Sequence, residues 1–202
     1  MHGLRLLRSR SAHRPSRPYR YVVALLAALA LLAVPAVASA AKGFTEQVAS
    51  ARWSTPFQCP DSSTAADGRL IVETDNFIEA GTTPDPNPPL RLGFVGQCPD
   101  GTFSWGFVRA APTQFDPDLK SVRVSGTFAN VRDNRGGLHT VSVDAGWTGT
   151  GPVMTTVNGP GSMRKERPAT ATATIVFDGN TLVDGAANFP FPAPFIRVDT
   201  EK

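Results

Sequence analysis

After residue 40 the chain has a single histidine, His139, so any Ser-His-Asp centre would have to use it as the base. Such a centre needs one imidazole nitrogen held by a carboxylate and the other facing a hydroxyl. His139 follows the segment Arg132-Asp133-Asn134-Arg135-Gly136-Gly137 and is in phase with Val141 and Val143. No G-x-S-x-G elbow accompanies it. A strand-end histidine satisfied by a backbone carbonyl fits this setting better than a catalytic base.

Paired carboxylates are the other route to hydrolysis, and they require one acid with a raised pKa facing a second. The available glutamates are Glu46, Glu73, Glu79, Glu166 and Glu201, all in segments where solvated strand faces and turn caps account for them. Asp116-Pro117-Asp118 and Asp85-Pro86-Asn87 offer hard oxygen ligands of the kind calcium uses. Neither has the spacing of D-x-[DN]-x-[DN]-G, and Asp-Pro is ordinary turn chemistry. No metal site and no cofactor is therefore expected.

Trp53, Trp105, Trp147 and twelve phenylalanines raise the prospect of a stacking surface. Trp147 shares the core phase of its strand, and Trp105 shares one side with Phe103 and Phe107, so both read as core. Arg164-Lys165-Glu166-Arg167 is the densest basic run, and beside Gly159-Pro160-Gly161 it reads as a solvated turn. No glycine-rich stretch has the strand-turn-helix setting of a nucleotide loop.

The charge balance depends on the first forty residues. They hold Arg5, Arg8, Arg10, Arg14, Arg17 and Arg20 and no acid, so of the 20 Lys+Arg only 20 − 6 = 14 remain against 17 Asp+Glu, a net −3. A basic footprint for nucleic acid goes with them. Their order is an Arg-rich stretch, an apolar run from Tyr21 to Val34 and the small-residue end Pro35-Ala36-Val37-Ala38-Ser39-Ala40. That is the pattern of a helical secretory signal peptide over 1–40, cut between Ala40 and Ala41. The alternative is an uncleaved anchor, since Tyr21 to Ala41 is just long enough to span a bilayer. With cleavage, the membrane is met only during export.

Cys59 and Cys98, the only cysteines, both follow residue 40 and lie in identical Gln-Cys-Pro-Asp tetrapeptides. An even pair in an oxidising compartment predicts a disulfide joining two similar strand-end turns. Closing 39 residues would stabilise by about 4 kcal/mol on the chain-entropy model.

These residues need elements to hold them, and period-two alternation supplies strands nearly throughout. Val122, Val124 and Phe128 alternate with polar residues, as do Val141, Val143, Ala145 and Trp147, around the hairpin signal at 132–137. A second hairpin is expected where 170–177 meets Asp178-Gly179-Asn180 and returns through 181–183. Further strands are expected at 44–53, 69–74, 90–96, 102–109, 153–157 and 195–199. The Pro-bearing connections 81–89 and 111–118 cannot be central strands. Phe189 to Phe195, with three prolines, should be extended and lay phenylalanines over a sheet edge or core opening.

The expectation is an all-β chain: one antiparallel β-sandwich, or partly open barrel, of about eight to ten strands over 41–202. Its expected role is that of a secreted bacterial protein, not an enzyme, acting by surface recognition of a polysaccharide, an envelope component or a protein. A small extracellular hydrolase is one alternative. A secreted inhibitor or small-ligand carrier presenting the 81–89 loop is another.

Overall fold

Alternating burial runs through almost every segment of the computed structural model, which describes residues 43–60, 62 and 64–202. The expected leader and the Ala40/Ala41 cleavage site lie outside the described residues. The chain is all-β: β1 (Phe44–Gln58), β2 (Ala65–Glu79), β3 (Pro89–Cys98), β4 (Gly101–Ala110), β5 (Thr113–Phe115), β6 (Ser121–Arg132), β7 (Leu138–Gly149), β8 (Met154–Gly159), β9 (Ser162–Phe177), β10 (Asn180–Ala186) and β11 (Phe195–Glu201). Ten of these coincide with expected strands. The eleventh, β5, is a three-residue strand between Pro112 and Pro117, in a connection expected not to be a central strand, and it lies at the end of the strand order.

All pairings are antiparallel, in the order β4-β3-β2-β1-β11-β9-β7-β6-β5, with β8 and β10 added on β9. Strand β9 serves two sets of partners. Residues 162–168 pair with β11 and β8, and residues from Ala169 onward pair with β7 and β10. Pro168 stands at the changeover, where the absence of an N–H leaves no donor unsatisfied. The basic run Arg164 to Arg167 therefore lies in a strand, correcting the solvated-turn reading. Its side chains meet charged cross-strand neighbours: Arg164 Nε donates to Asp199 Oδ1 at 2.7 Å, and β11 places Arg197 opposite Glu166.

The ends of this order are tied back by side chains and short bridges. Beyond β6, Asn134 N donates to Ser104 O of β4 at 2.9 Å, and Arg109 Nη1 donates to Ala129 O at 2.6 Å. Strand β10 meets the second half of β1, where Thr55 Oγ1 donates to Leu182 O at 2.6 Å and Trp53 Nε1 to Gly185 O at 3.2 Å. The enclosed core contains Trp53, Trp147, Phe94, Leu92 and Ile175, all essentially inaccessible.

Two glycines shape one end of that core. Gly68 and Gly96 face each other across β2 and β3, with the Phe94 ring against the first and the Phe57 ring against the second. A Cβ added at Gly96 would fall 2.1 Å from a Phe57 ring carbon, and one at Gly68 would fall 2.2 Å from Phe94. Phe57, Phe94 and Phe103 pack together here, with Trp105 stacked on Phe94 at 5.7 Å. Beside them the Cys59–Cys98 disulfide, Cα–Cα 5.9 Å, joins the ends of β1 and β3 across β2.

Overpacking of this kind costs about 1–3 kcal/mol. Gly96→Ala is therefore expected to lower the unfolding free energy by that amount in urea titrations. Gly93→Ala, on the opposite face, places a Cβ at an ordinary 3.4 Å from Ile71 and is expected to stay within about 0.5 kcal/mol.

Candidate functional site

His139 is satisfied by two carboxylates, where the sequence suggested a backbone carbonyl. Its Nδ1 lies 2.6 Å from Asp178 Oδ2 and its Nε2 lies 2.9 Å from Asp133 Oδ2. An ionised carboxylate only accepts, so both ring nitrogens must carry hydrogens and the ring is an imidazolium. Burial opposes that charge, yet the hydrogen bonds that the ring donates to Asp133 and Asp178 and the fields of those carboxylates outweigh it, and the pKa is raised from 6.5. Burial likewise raises both aspartates, but His139 and backbone amides overcome it and hold them below 3.8. The amides are those of Gly137 and Arg135 on Asp133 Oδ1, and of Thr140 on Asp178 Oδ1. The ring rests on Phe177 at 4.5 Å between centroids. Neither nitrogen is available to take a proton, so the group fastens the β6–β7 turn to the β9–β10 turn and supplies no general base.

The acids considered for hydrolysis and calcium are placed as follows. Glu46 and Asp75 lie on the outer face of β1 and β2, and burial raises both pKa values, with Asp75 adding to Glu46 and Glu73 adding to Asp75. Glu46 shares a ladder of ion pairs with Arg197 and Asp199, at 4.0 and 2.7 Å from the arginine. Asp116 Oδ1 caps Asp118 N at 2.8 Å, Asp118 pairs with Lys120 at 2.9 Å, and Asp85 Oδ1 caps Asn87 N at 2.8 Å. These are turn and ladder roles. Trp105 and Trp147 are both core, as their phase implied.

A different set of residues forms a trough. On the outer face of β1 to β4, Arg52 pairs in register with Ile71, Ile71 with Gly93, and Gly93 with Gly106. This row crosses four strands, and its second half has no side chains. The neighbouring row is Ser54, Arg69, Val95 and Ser104. The extended segment after β10 lays Phe189 along this face: its N–H donates to Arg52 O at 3.4 Å, and Arg69 sits over its ring at 5.2 Å. At the far side, the end of β6 and the turn after it bring Arg132 and Asn134 against β4. Asn134 is fixed by hydrogen bonds of 2.9 Å from Ser104 N and to Thr102 O. The trough has a volume of about 840 Å³ and is open to solvent.

Charge makes this trough unusual for the chain. Among the described residues none of Arg52, Arg69 and Arg132 forms an ion pair with a carboxylate, and Arg52 Nε is buried without a hydrogen-bond partner. The one acid on its lining, Asp133, is committed to His139. Phe189 lies against the outer face of β1 and β2, where its segment was expected over a sheet edge or core opening, and Phe191 is exposed. The arginines were not legible as a group, because only the strand register aligns them. The isolated glycines at 93 and 106 were the available signal, since glycine inside a strand often marks a close approach.

The sign of the His139 linkage follows from its raised pKa. Its ion pairs stabilise fully below the unfolded-state pKa near 6.5, and that stability is lost as pH rises through the higher folded-state value. The aspartates contribute above about 3.8 and lose their contribution as pH falls through their lower folded values. The stability difference between the protein and a His139→Gln variant should thus be largest between about pH 4 and 6.5 and shrink toward pH 9, as read by urea unfolding. Compared with known protein families, with characterised proteins and with solved structures, the chain matches none of them.

Proposed function

We propose that this is an exported, non-enzymatic recognition protein that binds an extracellular or cell-envelope ligand in the Arg52/Gly93/Gly106 trough. The observation that carries the reading is the pairing of uncompensated arginines with a bare glycine floor. Cations without partners on a folded surface are cheap only when solvent or a ligand anion serves them. A groove floored by backbone lets a ligand approach closely without displacing side chains. The leader pattern of residues 1–40 and the Cys59–Cys98 bridge both suit an oxidising, extracytoplasmic setting. On this reading the strands form a partly open barrel, with β4 approaching β6 and β10 approaching β1. Such a scaffold presents the trough rigidly.

The doubly engaged His139 weighs against a histidine-based hydrolase. A second reading, carriage of a small apolar ligand, is favoured by one feature. A pocket of about 480 Å³ opens between the ends of β1, β4, β9 and β10, lined by Phe57, Phe103, Trp105 and Phe177.

The three readings separate in one experiment. Envelope glycans are titrated into the isotopically labelled protein while amide shifts and product formation are followed. The proposal expects shifts at Gly93, Gly106 and Arg69, no turnover, and unchanged binding by His139→Asn. Shifts confined to Phe177 to Leu182 would move the assignment to the apolar pocket. Product formation abolished by His139→Asn would establish the hydrolase instead.

A further inference from the structure

We infer that the trough takes a stretch of acidic polysaccharide, with uronate rings lying on the Gly93/Gly106 floor and their carboxylates held by Arg52 and Arg69. This rests on the reading of that face as the ligand site and adds the chemistry of the ligand. Three features of the trough specify it.

The first is charge. Guanidinium groups present forked donors that match a carboxylate in a bidentate manner. Arg52, with a buried and unpartnered Nε, and Arg69, whose guanidinium lies over the Phe189 ring at 5.2 Å, stand on the neighbouring strands β1 and β2 at one side of the trough. Arg132 stands across the trough beyond β4. From β1 to β4 the row spans three inter-strand spacings, about 14 Å, so the cations at its two sides address charges on successive parts of a chain and not a single ion.

The second is shape. The floor is flat backbone at Gly93 and Gly106, bordered by Ile71, Val95 and the Phe189 ring. A pyranose chair presents a broad face of C–H groups with hydroxyls around its rim, and suits such a floor. Ser54, Ser104 and Asn134 at the borders provide hydroxyl and amide partners for the rim. A glycerol-phosphate polymer has the anion but no ring to occupy the floor. An anionic bilayer has the charge but is too flat to reach a recessed surface.

The third is the electrostatic surroundings. Residues beyond position 40 sum to 14 − 17 = −3, so the trough is a local positive site on a mildly acidic chain. A long, densely charged nucleic acid would be repelled outside the trough. A polysaccharide with one charge per ring is not penalised to the same degree.

The test uses the full chain with defined probes: oligogalacturonate, hyaluronan oligosaccharides, the methyl-esterified oligogalacturonate and a glycerol-phosphate oligomer, each titrated by calorimetry. The expected result is saturable binding of at least one uronate probe that weakens with added salt. Binding should fall about tenfold or more for the methyl ester, and about tenfold for each of Arg52→Gln and Arg69→Gln. Gly93→Val, which fills the floor without changing charge, should weaken binding as strongly while circular dichroism stays unchanged. Equal affinity for acid and ester would overturn the acidic class while leaving the trough as a neutral-glycan site. Arginine-dependent binding of only the glycerol-phosphate oligomer would overturn the sugar and retain the trough. No binding of either uronate probe at millimolar concentration overturns the inference. If, in addition, no envelope glycan moves the Gly93 and Gly106 amide signals, the site itself is overturned.

Discussion

Because β9 passes from one set of partners to another at Pro168, the two halves of the hydrogen-bonded network cannot be separated from each other. Its first half holds β11, and through β11 the β1–β4 meander. Its second half holds β7 and β6. A proline there has no N–H to leave unpaired while the strand changes neighbours, and Ala169 N instead donates to Pro194 O at 3.0 Å. Everything proposed about function depends on this junction. The trough needs β1 to β4 held flat on one side, and it needs the turn after β6 brought round to β4 on the other.

Small residues and aromatic rings divide the work on the two faces of β2 to β4. On the inner face, Gly68 and Gly96 are filled by Phe94 and Phe57, so the absence of side chains admits large rings and adds to burial. On the outer face, Gly93 and Gly106 have no ring above them, and the same absence leaves a hollow. The contrast in charge is parallel. His139 and its two aspartates engage one another in a closed arrangement of net charge −1 that leaves neither ring nitrogen free for chemistry. The arginines of the trough lack such partners among the described residues, and their charge is left for something outside the chain.

Much of the fold was legible because one face of each strand is buried, which prints a period of two on the sequence. Val141, Val143, Ala145 and Trp147 show it plainly, and so do the turn residues at 132–137 and 178–180. The Cys59–Cys98 bridge was legible from the repeated Gln-Cys-Pro-Asp contexts. Residues 162–168 were misread because charged residues there sit on a strand whose exposed side chains pair across the sheet, so composition resembled a loop. The partners of His139 were hidden for a related reason. Asp178 lies 39 residues away, and nothing local indicates that the two hairpin turns meet. The trough was least legible, since Arg52, Ile71, Gly93 and Gly106 come from four strands and only their register makes them a row.

The first described strand, β1, pairs through residues 44–50 with the last, β11. The β1–β4 meander, by contrast, pairs strands that are adjacent in sequence, and the Cys59–Cys98 bridge closes a covalent ring that encloses all of β2. The other edge of β1 pairs with β11, the last strand in the sequence order. The two edges of β1 thus differ in sequence separation: local pairing with β2 at one, and at the other a long-range closure by β11 between β1 and β9. Such late, distant closures are slow, and until this one occurs the first half of β1 presents an unpaired edge. A chaperone or binding partner that covers this edge would have its greatest effect before the last strand arrives.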